Sequence, residues 1–456
     1  MFYSMKIQLP HADLSSPVER LSFFSIILVS VLVLSTPSVE MGNTLPESFK
    51  IYRLYGYAIL AVIQLVLIFI RPNKHSLAIY ITPIILLMLW CCISLTWSEH
   101  IDLTAKRTVL LCLVYLSVFG SVCDLGYRRS LETLQFLLAA TLIINLAAVI
   151  VNPEVGTQLR SGSDDLWRGL MADKNIAGML SAVTLVVFGF GKGRIPLPLR
   201  YGIMAAALLF LVQSWSRTAI IALVASVAVG ISLTLMRLTV RNAMAKHRKS
   251  ITYVASTIAG FLVVAVLVLT IERDFLVSLT DNASSVSLRN TIWRPLIQYY
   301  LDHPILGSGY GAYWDASVRP ENVEAYATQR WLIRVDQGHN GYLDLLVQTG
   351  LPGLILALLA TIWWPLRRLA SLTQRHPERS SVIFSMITLV LVQNFAESSL
   401  FADDSLGNFF LLFALAQTRR FEIGEAKFGK NLIKKRTFSY PEMDHTPADY
   451  VVKPTE

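Results

Sequence analysis

Phe261–Leu269 read FLVVAVLVL, and this run decides the fold class. A strand of a membrane barrel alternates lipid-facing apolar residues with polar ones. This stretch is apolar without interruption. Lipid offers no water to backbone groups, so only helices and closed barrels cross it, and an unbroken run points to the helix. Working outward, similar windows recur along all 456 residues, of which 54% are hydrophobic and only 16% charged. Soluble domains carry about 25% charged residues. The expectation is an all-α, polytopic membrane protein.

A spanning helix needs roughly 20 apolar residues. On that measure the chain divides into about twelve spans, at 20–37, 51–70, 77–96, 105–123, 131–151, 174–191, 197–213, 217–236, 251–271, 341–363, 380–397 and 403–418. This gives an N-terminal segment 1–19, nine spans within 20–271, a long loop 272–340, three more spans within 341–418 and a polar tail 419–456. Cytoplasmic loops are enriched in Lys and Arg. Placing both termini inside puts about 26 of the 40 basic residues there. The long loop then lies outside, as does a shorter polar loop at 152–173.

The net charge of +9 reads as this topology signal rather than as nucleic-acid binding, because no basic groove interleaved with aromatics is present. Cys91, Cys92, Cys112 and Cys123 lie within or at the ends of apolar spans, without metal spacing or a disulfide framework. Residues 1–20 lack a basic segment leading to a cleavage site, so the first span reads as an anchor.

The loop 272–340 is rich in aromatics, among them Trp293, Tyr310 and Trp314. Within it Ser287–Leu301 carries apolar residues at helical spacing, as an amphipathic helix on the membrane surface or over a cavity would. His303-Pro304 ends that helix, and Gly307–Gly311 (GSGYG) makes a tight turn.

Ionisable groups at a membrane edge mark function by default. Arg217 opens the eighth span close to the outer surface, a position that equally suits a helix-end anchor. Arg289 and Trp293 stand four apart and so share a helical face, with Arg294 adjacent; a solvated charge on an interfacial helix is the other reading. Arg168 lies in the shorter external loop, ahead of Asn175, a possible cap for the sixth span. His339 sits where the long loop re-enters the membrane, and an imidazole suits proton transfer near neutral pH. Asn340 beside it reads as a helix cap, and Asp336, Asp344 and Glu397 are alternatives as base or orienting partner. Arginines bind phosphate oxygens in bidentate fashion and stay charged at any working pH. This set suits group transfer from a phosphate-linked donor to a hydroxyl. No HExxH, Walker or dinucleotide pattern is present, so no metal or cofactor is expected.

Four segments together resemble the O-antigen ligase and polysaccharide polymerase superfamily, and within it the exopolysaccharide-production branch. They are WRGLMADKN (167–175), QSWSRTAI (213–220), LRNTIWRPLIQYYLDHPILGSGYGAYW (288–314) and HNGYLDLLVQTGLPG (339–353). The chain departs from that branch at Asp173, where the branch usually has histidine, and at Leu288 and Asn290 around Arg289. The resemblance implies a metal-independent, inverting glycosyltransferase of the GT-C kind, multi-pass in the bacterial inner membrane. Its donor would be an undecaprenyl-pyrophosphate-linked glycan, its acceptor a sugar hydroxyl, and a chain-length regulator a possible partner. It further implies that Arg217, Arg289 and His339 are catalytic, with Arg168 binding substrate; Trp293 and Arg294, placed beside Arg289 by helical spacing, are expected to bind substrate with it. A polymerase that joins lipid-linked repeat units is the leading expectation. The alternatives are a ligase passing finished glycan to lipid A core or protein, and a transporter of lipid-linked oligosaccharide.

Overall fold

The computed structural model describes residues 16–34, 47–71, 82–98, 100–159, 165–240, 288–314, 335, 337–403 and 405–437. The expected span at 251–271, Asp336, much of the long loop and the end of the tail lie outside the described residues.

The described part is predominantly helical. The helices are α1 (Pro17–Leu34), α2 (Glu47–Ile70), α3 (Thr82–Ile93), α4 (Ile101–Val151), a single turn α5 (Pro153–Gly156), α6 (Lys174–Phe190), α7 (Leu197–Ser214) and α8 (Arg217–Val240). After them come α9 (Leu288–Asp302), α10 (Gly341–Leu358), α11 (Trp364–Arg375), α12 (Pro377–Gln393) and α13 (Leu406–Thr437). Among these, six helical stretches are long and apolar enough to cross a membrane, the longest lying within Ile101–Val151, and Thr82–Thr96 and Lys174–Phe190 are shorter apolar helices. Large apolar side chains point outward along them: Phe69 is 79% exposed and Val151 83%. In water such exposure opposes folding, whereas in lipid it is the favoured arrangement.

Helix α12 runs through the middle of the bundle. Each residue from Ser380 to Gln393 is buried, and the helix packs against α6, α8 and α13. Hydrocarbon chains solvate leucine as well as a protein core does, so helix association there draws on close packing and interhelical hydrogen bonds. Gln64 donates to Ser25 Oγ at 2.6 Å between α2 and α1. Gln417 donates to Ser130 Oγ at 2.7 Å between α13 and α4, and Ser385 to the Ser226 carbonyl at 2.8 Å between α12 and α8.

One end of the bundle gathers the basic loops into ion pairs. Arg71 meets Asp124 at 2.8 Å, both largely buried, and Ser22 Oγ donates to the same carboxylate at 2.6 Å. Arg129 pairs with Glu19 at 2.7 Å and Lys192 with Glu378 at 2.6 Å. The other end carries the turns that build the site.

The break expected between the spans 105–123 and 131–151 falls within α4 at Gly126, whose φ of 76° lies outside the helical range, so two helices meet there. Two features differ from the sequence reading. The loop at 152–173 contains a two-stranded antiparallel hairpin, Thr157–Leu159 with Asp165–Trp167, so the fold is not wholly helical. Finally, α12 ends at Gln393 rather than 397, and α13 begins at Leu406 rather than 403. Asn394 causes the first of these shifts: its Oδ1 accepts the Ser399 N–H at 2.9 Å and folds the chain into a turn.

Candidate functional site

Two turns meet over the start of α10. The first is the expected GSGYG turn, where Gly307, Gly309 and Gly311 all take positive φ. Its backbone is stitched to α10: Ser308 N–H donates to the Val347 carbonyl at 2.9 Å, and Gly311 N–H to Gln348 Oε1 at 2.8 Å. Tyr310 is buried and spans the gap to the second turn. Its hydroxyl donates to the Phe401 carbonyl at 2.7 Å and accepts the Asp403 N–H at 3.1 Å. Burial pushes this phenol well above its ordinary range, so it remains a donor at any working pH.

The second turn, Asn394–Ser405, lies directly on the N-terminus of α10. The Gly341 N–H is shared between the carbonyls of Asn394 and Glu397, 2.9 Å from each. That approach requires glycine, since a Cβ here would stand 2.2 Å from Asn394 Oδ1. Asn340 caps α10 as expected, its Oδ1 accepting from the N–H groups of Tyr342 and Leu343 at 3.1 and 3.2 Å. His339, just outside the helix, adopts a left-handed φ of 49°. Its Nδ1 lies 4.0 Å from Glu397 Oε2, with the histidine one-third exposed and the glutamate almost closed off.

Below these turns is a cavity of about 500 Å³. Its wall includes Asp173, Arg107, Gln393, Glu397, Asp403 and Trp314. The size falls within the usual range of small-molecule sites. Asp403 is in the turn ahead of α13. Its carboxyl is pushed up by burial, and the Arg107 guanidinium is the largest opposing influence.

Of the expected site residues, the structure brings His339 to the edge of this arrangement and sets Glu397 in the cavity wall. Arg217 opens α8 and is exposed; its neighbour Ser216 donates to Asn175 Oδ1 at 3.1 Å. Arg294 is exposed on α9. Arg289 is a helical residue of α9, and its side chain lies outside what is described. Arg168 is buried, donating through Nε to the Val155 carbonyl at 3.1 Å, so it braces the hairpin. Trp293 is buried with Leu296, Tyr299 and Tyr313 and donates to the Gly338 carbonyl at 2.8 Å. It therefore holds the segment that carries His339. Among the described residues, none of Arg168, Arg217, Trp293, Arg294 and His339 itself lines the cavity.

Asp173 rather than Asn175 caps α6, its Oδ1 accepting from the N–H groups of Asn175 and Ile176 at 2.6 and 3.0 Å. Sequence reading missed Arg107, Gln348, Gln393 and Asp403. Arg107 sits seven residues into a helix, where a charge reads as an ordinary helix-end residue, and only the docking of the two turns reveals its place.

Residues 202–358, from α7 to the end of α10, match the family model described as O-antigen ligase. The exopolysaccharide production protein ExoQ of Rhizobium meliloti (strain 1021) is 24% identical over 367 residues, 77% of this chain and 80% of that protein. Both matches bear out the resemblance read from the four segments, to an O-antigen ligase and polysaccharide polymerase-like family.

Proposed function

We propose that this chain is a polymerase joining undecaprenyl-pyrophosphate-linked repeat units into an exopolysaccharide or O-antigen at the periplasmic face of the inner membrane, with both termini cytoplasmic. The observation that carries the reading is His339, held in a left-handed turn beside Glu397, whose side chain lines the cavity. In this mechanism an acceptor hydroxyl oxygen attacks the anomeric carbon of the donor glycan from the face opposite the pyrophosphate. The glycosidic C–O bond forms as the C–O bond to pyrophosphate breaks, and the anomeric configuration inverts. The leaving electron pair stays with the lipid pyrophosphate, and the hydroxyl proton passes to His339. Glu397 stabilises the imidazolium so formed, since an opposite charge within about 4–6 Å favours the charged state. Arg217 and Arg289 neutralise the departing pyrophosphate, with Arg294 supporting them on the outer face. Arg168 and Trp293 act through the backbone segments that they hold.

The name of the relative, an exopolysaccharide production protein, favours polymerisation. The family model's description as O-antigen ligase supports a second reading, transfer of finished glycan to lipid A core or protein. A deletion strain separates the two. The polymerase reading expects single lipid-linked repeat units to accumulate, and accumulation of long lipid-linked chains would replace it with the ligase reading.

A further inference from the structure

Resting on that reading, we infer that the cavity takes the uncharged sugar residues of the acceptor and not the pyrophosphate of the donor. Among the described residues, four carboxylates line it, those of Asp173, Asp344, Glu397 and Asp403, against one guanidinium, that of Arg107. Such a wall repels phosphate, whereas carboxylate and amide oxygens accept hydrogen bonds from sugar hydroxyls. Gln393 supplies an independent sign of a ligand. It is 1% exposed and on the cavity wall, yet its Oε1 has no hydrogen-bond partner among the described residues. Its Nε2 is engaged with the Asn175 carbonyl at 3.4 Å. Buried amide oxygens are almost always satisfied, and a hydroxyl bound in the cavity would satisfy this one. Trp314 adds an aromatic surface to the same wall, suited to the apolar face of a pyranose ring. Arg107, whose guanidinium acts on the Asp403 carboxyl, adds hydrogen-bond donors to the same wall. The exposed arginines Arg217 and Arg294 lie outside this wall. The geometry thus gives the acceptor a polar pocket rich in carboxyl groups and leaves the exposed arginines outside it for the donor.

The test uses the full-length protein in liposomes. The donor is lipid-linked repeat unit extracted from a deletion strain, and the acceptor is the saccharide released from that lipid. Gln393→Leu is expected to raise the acceptor KM about tenfold, the loss of roughly one hydrogen bond, and to leave the donor KM within about twofold. A rise in donor KM with acceptor KM unchanged overturns the inference. Binding without turnover gives a second measurement on the unaltered protein. Saturation-transfer NMR should show the released saccharide bound, and inorganic pyrophosphate should not displace it. Displacement by pyrophosphate, or no saccharide binding at all, overturns the inference. Because this second arm needs no catalysis, a protein that binds saccharide but joins nothing defeats the polymerase reading alone.

Discussion

Trp314 donates its indole N–H to the Asp344 carboxylate at 3.0 Å, and the backbone N–H of Gly338 donates to both oxygens of the same group at 3.1 Å. One buried carboxylate in the first turn of α10 therefore holds Trp314, from the far end of the GSGYG turn, and the segment leading into His339. The site depends on this anchor because His339 has no regular secondary structure of its own to hold it.

Asp344→Ala removes the acceptor for both donors, the buried Gly338 N–H and the half-buried Trp314 indole. Each such loss costs about 1–3 kcal/mol, so the variant is expected to be at least about 2 kcal/mol less stable and to lose most activity. Asp344→Asn keeps one carbonyl oxygen and should fall between the two. Thermal unfolding in detergent, read beside an activity assay, checks the order; equal stability of all three proteins would contradict the anchor.

Gly341→Ala tests the seating of the second turn on α10. The added methyl stands 2.2 Å from Asn394 Oδ1 and 3.1 Å from the Leu400 nitrogen. Overpacking of this kind costs about 1–3 kcal/mol, and it pushes Glu397 away from His339. Reduced unfolding temperature together with reduced turnover is the expected result. A variant as active as the parent would show that the turn tolerates displacement.

At the basic end, Arg71→Ala strands the Asp124 carboxylate among buried neighbours. Breaking a buried pair by removing one partner costs about 3–5 kcal/mol. Adding Asp124→Asn removes the stranded charge and should recover part of that loss. Additive losses in the double variant would mean that the pair is not coupled.

Asp403 gives a pH-dependent prediction. Burial raises its folded-state pKa above the ordinary carboxylate value, so the native state holds the proton more tightly than the unfolded chain. The stability from this group is complete below the unfolded value and is lost as pH rises through the folded one. Asp403→Asn lacks that dependence. Its unfolding temperature minus that of the parent should therefore grow from pH 4 upward and then level off. A gap that is constant or shrinks with pH would show that Asp403 is not destabilised by burial.

Much of this molecule was legible in its sequence. Apolar length gave the helices, and the period of Ser287–Leu301 gave α9 at Leu288–Asp302. The GSGYG turn and the Asn340 cap were legible too, because local chemistry alone determines them. The break at Gly126 falls between the two spans that apolar length gave, 105–123 and 131–151. The cavity wall was less legible. Arg107, Gln393 and Asp403 are far apart in the chain, and hydropathy assigned Glu397 and Asp403 to spans. Only the Asn394 side chain, closing a turn on Ser399, takes them out of the helices. The role expected of Arg168 followed from the resemblance and that of Trp293 from its helical spacing to Arg289, whereas their partners, the Val155 and Gly338 carbonyls, follow from tertiary packing.

The most direct test of the account is joining of lipid-linked repeat units by the purified protein in liposomes, compared with its His339→Ala variant. General-base assistance contributes about 10²–10⁴-fold. The account predicts that the variant still binds donor but forms product at least about 100-fold more slowly. A variant that makes polymer at the parental rate and length would contradict it.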